Sequence, residues 1–216
     1  MKKVVFGALA IAAAATPAAY AETSGVVDAG YANSDYNTHT SFNGYHLGGA
    51  FQTDAWSGWS MQVDGATILQ DWRNSPNWSH SYAAVHADTN TGGWDFGGWV
   101  GLLNYYGDGG WQFGGETRTS FDNISLQGSV GYANFNSYND FSAWDLNVSG
   151  AYFINPNFAI TANASGTWFN QSSSSDYTAT EYGVGATYGC GNGFEFYGGY
   201  LRSQFDRHSG SGYDIN

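Results

Sequence analysis

The sequence predicts an all-β fold, an antiparallel transmembrane β-barrel of about 12 strands whose last strand is incomplete. Three observations predict it. Apolar and polar residues alternate with period two over most of the chain, which places them on opposite faces of a pleated strand. The composition, with 31 Gly, 18% aromatic and only 11% charged residues, departs from globular usage, where about 25% are charged. It favours Tyr, Phe, Trp, Thr and Val, which suit strands. Finally, the aromatics gather in two bands near strand ends, the arrangement that a bilayer interface selects. Such aromatic content also excludes disorder.

The first element is a signal peptide over residues 1–21. Lys2 and Lys3 precede an apolar run from Val4 to about Ala15, and Ala19-Tyr20-Ala21 has the small-x-small form of a cleavage site. The mature chain, residues 22–216, is one barrel domain without a linker. Removing the leader removes both lysines, leaving Arg73, Arg118, Arg202 and Arg207 against all 18 carboxylates, a net charge of −14. That balance excludes nucleic acid as a partner, because its binding rests on cationic contacts to phosphate. A single cysteine, Cys190, forms no internal disulfide, so packing or sheet closure must hold the fold.

Strands follow near 25–32, 44–53, 59–69, 81–88, 94–104, 111–121, 124–134, 143–153, 158–169, 178–189 and 194–204, and Tyr213 to Asn216 open a twelfth. The alternation is plain in 124–134, where Ile124, Leu126, Val130 and Tyr132 interleave with Ser125, Gln127, Ser129 and Ala133. It is plain again where Trp144, Leu146 and Val148 interleave with Asp145, Asn147 and Ser149. Most strands approach the roughly 9–11 residues that cross a bilayer at a tilt. Short turns near 54–58, 89–93, 122–123, 154–157 and 190–193 alternate with longer polar loops near 33–43, 70–80, 105–110, 135–142, 170–177 and 205–212. Each long loop carries an acid: Asp35, Asp71, Asp108, Asp140, Asp176 or Asp206. Trp59, Trp94, Phe121, Phe158 and Phe194 form one aromatic band; Tyr31, Trp111, Tyr132, Trp144, Trp168, Tyr182 and Tyr200 form the other.

The leader, the alternating strands and the loop asymmetry together resemble the outer-membrane β-barrel proteins of Gram-negative bacteria, the porin-like superfamily. The resemblance is architectural and covers the whole mature chain. It implies residence in the bacterial outer membrane, contact with its lipid and lipopolysaccharide, and insertion by the barrel assembly machinery. Members usually end in a strand with a terminal aromatic, whereas this chain ends Gly212-Tyr213-Asp214-Ile215-Asn216, which points to a truncated last strand.

Turning the apolar parity outward puts Asp28, Asp64, Asp88, Asp95, Glu116, Asp145, Glu181 and Glu195 inside, with one base, Arg118. An outward charge at the midplane would cost roughly 2–4 kcal/mol for Arg or Lys. The sign of the interior is not forced by that argument, and an acidic lumen favours cations. Inward Tyr82, Trp99, Leu103, Phe153, Phe169 and Tyr197 narrow the passage. In Trp94-Asp95-Phe96-Gly97-Gly98-Trp99, Asp95 faces the lumen, pairs with Arg118 and lies toward the mouth at the short-turn end, while Trp99 stands beside Glu116. His86 and Asp88 share a face, but no nucleophile is placed beside them. The five histidines show no metal spacing. The expected function is a passive, cation-preferring channel for small cationic or neutral solutes, without cofactor, metal or catalysis. A non-conducting structural or adhesion barrel is the alternative, and an outer-membrane hydrolase a minor one.

Overall fold

A computed structural model of the chain describes residues 24–37, 40–56, 58–72, 78–105, 107–135, 141–171, 176–190 and 195–208. The leader, the twelfth strand at 213–216, Asp140 and Phe194 lie outside the described residues.

Among the described residues, eleven strands form one antiparallel sheet in which every strand pairs with its neighbours in sequence. They are β1 (Ser24–Asn37), β2 (Thr40–Trp56), β3 (Trp59–Trp72), β4 (Trp78–Thr91), β5 (Trp94–Tyr105), β6 (Asp108–Phe121), β7 (Ile124–Phe135), β8 (Phe141–Asn155), β9 (Phe158–Gln171), β10 (Asp176–Gly189) and β11 (Glu195–His208). All eleven expected strands are present, and most run longer than their apolar alternation indicates. The extra length lies mainly at the end where long loops were expected. Only residues 38–39 separate β1 from β2, and only 106–107 separate β5 from β6. Asp71, Asp108, Asp176 and Asp206, expected in loops, therefore stand within β3, β6, β10 and β11. These polar ends have no apolar face to betray them. Once the register is set, however, each further pair satisfies backbone donors and acceptors, so the ladder continues.

The tight turns at the other end match their sequence signals. Gly92 and Gly93 take φ of 63° and 84° between β4 and β5, and Asp122 takes φ of 51° between β6 and β7. A two-residue hairpin favours this left-handed backbone because its twist matches that of the flanking strands. Glycine adopts it freely, and Asp tolerates it.

The sheet curls into a half-barrel. Asp64 on β3 and Phe169 on β9 line one cavity, although a flat sheet would hold those strands roughly 29 Å apart at a spacing of about 4.8 Å. Burial is inverted relative to a soluble sandwich. Among the described residues the buried apolar ones are mostly small and all on the concave face: Ala66, Ala84, Ala143, Ala159, Ala179 and Leu201. The exposed large apolar residues lie on the convex face, except Val26 and Tyr197 on the outermost strands. Among the described residues β1 and β11 each pair on one side only.

Candidate functional site: the concave face

Cross-strand partners share a face, so the register assigns every inward position. One row runs across the concave surface as Ser60, Asp88, Gly97, Glu116, Ser129, Asn147, Ser165, Glu181 and Ser203, from β3 to β11. Apart from Gly97, every side chain in it is polar. The next row toward the opposite strand ends reads Gln62, His86, Trp99, Gly114, Gly131, Asp145 and Thr167. A third reads Asp64, Ala84, Gly101, Gln112, Ala133, Ala143 and Phe169. Beyond it stand Ala66, Tyr82, Leu103, Gly110, Phe135 and Phe141. Period-two alternation dictates which residues enter these rows; only strand pairing dictates which ones meet.

The register places Asp28, Asp64, Asp88, Asp95, Glu116, Arg118, Asp145, Glu181 and Glu195 all on this face, together with Tyr82, Trp99, Leu103, Phe153, Phe169 and Tyr197. Arg118 donates Nε–H to Asp95 Oδ2 at 3.0 Å, and Asn90 donates to the other oxygen at 2.7 Å. The pair expected from the sequence is therefore present, but the register that would set Trp99 beside Glu116 is wrong by two residues. Asp95 sits directly opposite Arg118 because Asn104 pairs with Gly109; pairing Asn104 with Trp111 would displace Arg118 by one pleat.

Two further pairings involve histidines. His86 lies between two carboxylates, with Nδ1 2.7 Å from Glu116 and Nε2 3.3 Å from Asp64. Asp88, its neighbour in sequence on the same face, instead accepts from Ser60 Oγ at 2.7 Å. The His86–Asp88 juxtaposition suggested by the spacing is thus replaced by cross-strand contacts. With both ring nitrogens held by acids, His86 has none free to activate a hydroxyl. His46, buried on β2, pairs with Asp28. Asp145 accepts from Thr167 Oγ1 at 3.0 Å, and Glu181 accepts from Ser203. Asp88, Asp145, Glu181 and Glu195 have no basic side chain within ion-pair distance among the described residues. One oxygen of Asp64, Oδ1, is buried without a hydrogen-bond partner.

Trp99 is placed by what its neighbours lack. A Cβ at Gly114 would stand 2.6 Å from Trp99 Cζ2, and one at Gly131 would stand 2.8 Å from the same atom. The indole therefore extends over two glycines on successive strands, with its edge toward β8. It does not stand beside Glu116 as expected: the β5–β6 register pairs Glu116 with Gly97 and Trp99 with Gly114, one row on, and its ring centroid is 6.2 Å from that of His86. Nearer the strand ends, Phe135, Phe141, Phe169 and Tyr177 form a chain of ring contacts, with centroids 5.0, 5.4 and 4.4 Å apart in turn. Phe135, Phe141 and Tyr177 escaped sequence reasoning because their segments read as loops. His46 escaped because its carboxylate lies on the preceding strand, 18 residues away. The signal available for it was shared inward parity with Asp28 across the first hairpin.

The convex face carries the complementary surface. Trp111 stacks on Phe113 at 5.8 Å, Tyr132 lies 5.0 Å from Trp144, and Arg202 sits over the Tyr182 ring at 5.8 Å. Trp111 and Phe121 stand at opposite ends of the β6 apolar parity. They are separated by roughly 33 Å of strand, or about 25 Å along a barrel axis at an ordinary tilt.

No protein-family model matches this chain, and no curated protein matches it in sequence. Its chemistry is therefore read from the two faces themselves.

Proposed function

We propose that the chain spans the bacterial outer membrane as a β-barrel, exported by its signal peptide, and acts as a passive channel that prefers cations. One observation carries the reading: a single curved sheet has an outer face of exposed large apolar residues and an inner face on which acids, Asp54 and Asp108 among them, far outnumber arginines. Soluble monomers rarely expose contiguous apolar patches beyond a few hundred Å2. An outward apolar band near 25 Å, edged by aromatics, is what a barrel presents to lipid. The continuous polar row from Ser60 to Ser203 offers hydrated ions hydrogen-bonding partners along the inner wall. Its unpaired acids Asp88 and Glu181, with Asp145 and Glu195, supply a negative field that steers cations inward. Open strand edges are not tolerated in hydrocarbon, so this reading requires the edges of β1 and β11 to be covered in the membrane.

Trp99 favours a second reading, a non-conducting barrel with a structural or adhesive role, because its indole and the His86 cluster occupy interior space. Reversal potentials in planar bilayers across a salt gradient separate the two. The channel reading expects conductance with a cation-selective reversal potential, weakened in Asp88→Asn combined with Glu181→Gln. Absence of conductance, or anion selectivity, would sink it.

A further inference from the structure

The concave face holds a cavity of about 440 Å3 whose shape follows from the rows that line it. Its floor is the small-residue row, with Ala84, Ala133 and Ala143. One wall is Tyr82, Leu103 and Phe135; the facing wall is His86, Trp99, Asp145 and Thr167, and Phe169 closes the β9 end. Most of this lining is aromatic or aliphatic, the surface that receives the body of a small organic molecule.

The acid at the wall has a specific position. Asp145 pairs across strands with Gly131, and Gly131 is the residue over which the Trp99 ring edge extends. Directly paired residues stand only about 4.5–5.5 Å apart between Cα atoms. A free carboxylate and an indole are therefore brought together at one end of an apolar cavity. Thr167 satisfies one oxygen of Asp145, and no basic side chain reaches it among the described residues. A cation beside Asp145 gains an ion pair, and where it also lies above the indole plane it meets the electron-rich face of the ring, a combination worth more where water is displaced. Across the cavity Asp64 leaves Oδ1 buried and without a hydrogen-bond partner, while its other oxygen faces His86.

We propose that this cavity binds small organic cations with an aromatic or alicyclic body, Asp145 and Trp99 holding the charge and Leu103, Phe135 and Phe169 enclosing the body. The site deepens the channel reading and rests on it only for access from outside. Binding to the protein in detergent micelles is measured whether or not the barrel conducts. Binding without conductance would therefore overturn the channel alone.

The test is calorimetric titration of the refolded full chain with benzyltrimethylammonium, with phenylacetate and benzyl alcohol as anionic and neutral probes and empty micelles as the blank. The expected result is saturable one-site binding of the cation, at least tenfold tighter than either other probe. Asp145→Asn keeps the size and the Thr167 contact and should weaken it about tenfold, equivalent to about 1.4 kcal/mol. Ala143→Phe, or Ala133→Leu, should fill the floor and abolish binding in protein that still shifts on heating in a detergent gel. Asp71→Asn removes the same charge from outside the cavity and should change nothing. Equal affinity for benzyl alcohol, an unaltered affinity in Asp145→Asn, or no saturable binding overturns the proposal.

Discussion

At Gly131 the nearest foreign atoms to an added Cβ are those of the Trp99 ring, and the backbone oxygen of Phe113 is 3.6 Å away. Gly131→Ala should therefore destabilise the protein by about 1–3 kcal/mol through overpacking, and the penalty should vanish in a Trp99→Ala background. At Gly114 a Cβ would also strike the carbonyl of Val130, so Gly114→Ala should remain costly without the indole. Urea unfolding in micelles measures both cycles, and a Gly131 penalty that survives Trp99→Ala would show that the ring is not what the glycine accommodates. The Asp95–Arg118 pair is different. Its side chains are 27% and 36% exposed, so solvent screens it and its coupling should stay below about 1 kcal/mol. A double-mutant cycle with Asp95→Asn and Arg118→Gln reads that value directly. Asp95 and its pairing with Arg118 were legible from parity, whereas their direct opposition required the register of β5 on β6.

The strands show why element existence was legible and element ends were not. Period-two alternation marks the segment whose outer face must be apolar, and in β7 that segment is nearly the whole strand. In β10 the ladder runs through Asp176 and Tyr177, where the pattern is polar and mixed. Backbone pairing extends an element without any side-chain signature. The turns were legible for the opposite reason, since their backbone needs particular residues. Gly93→Val should cost about 1–2 kcal/mol by forcing a β-branched side chain into φ of 84°. Asp122→Gly should leave stability unchanged or raise it slightly, while Asp122→Val should lower it. Refolding yield and midpoint denaturant concentration check this series, and indifference at Gly93 would contradict the turn geometry.

For the whole molecule, the decisive property is that the sheet has an apolar outside and a polar inside. Val148, 54% exposed on the convex face, and Ser149, on the concave face, are adjacent in sequence. Val148→Arg should cost roughly 2–4 kcal/mol in lipid vesicles, whereas Ser149→Arg should be tolerated and should shift ion selectivity away from cations. Equal effects of the two substitutions would remove the distinction between lipid and lumen. The excess of interior acids over arginines gives the interior charge only when histidines are ignored. His46 and His86 stand against Asp28, Asp64 and Glu116, so the acids without a basic partner are the ones that leave a net field.

The sequence by itself determined the order of the eleven described strands, their tight turns and the face each residue occupies, because alternation and turn chemistry are local properties. It thereby placed the acids and Trp99 together on one surface. Tertiary structure alone decided which of those residues meet. Strand register set Asp95 directly opposite Arg118 and His86 between Asp64 and Glu116, and the curl of the sheet turned a row of alanines and glycines into a cavity. Contacts between strands depend on pairing offsets of one or two residues, which backbone hydrogen bonding accepts almost equally and packing of the completed sheet must choose.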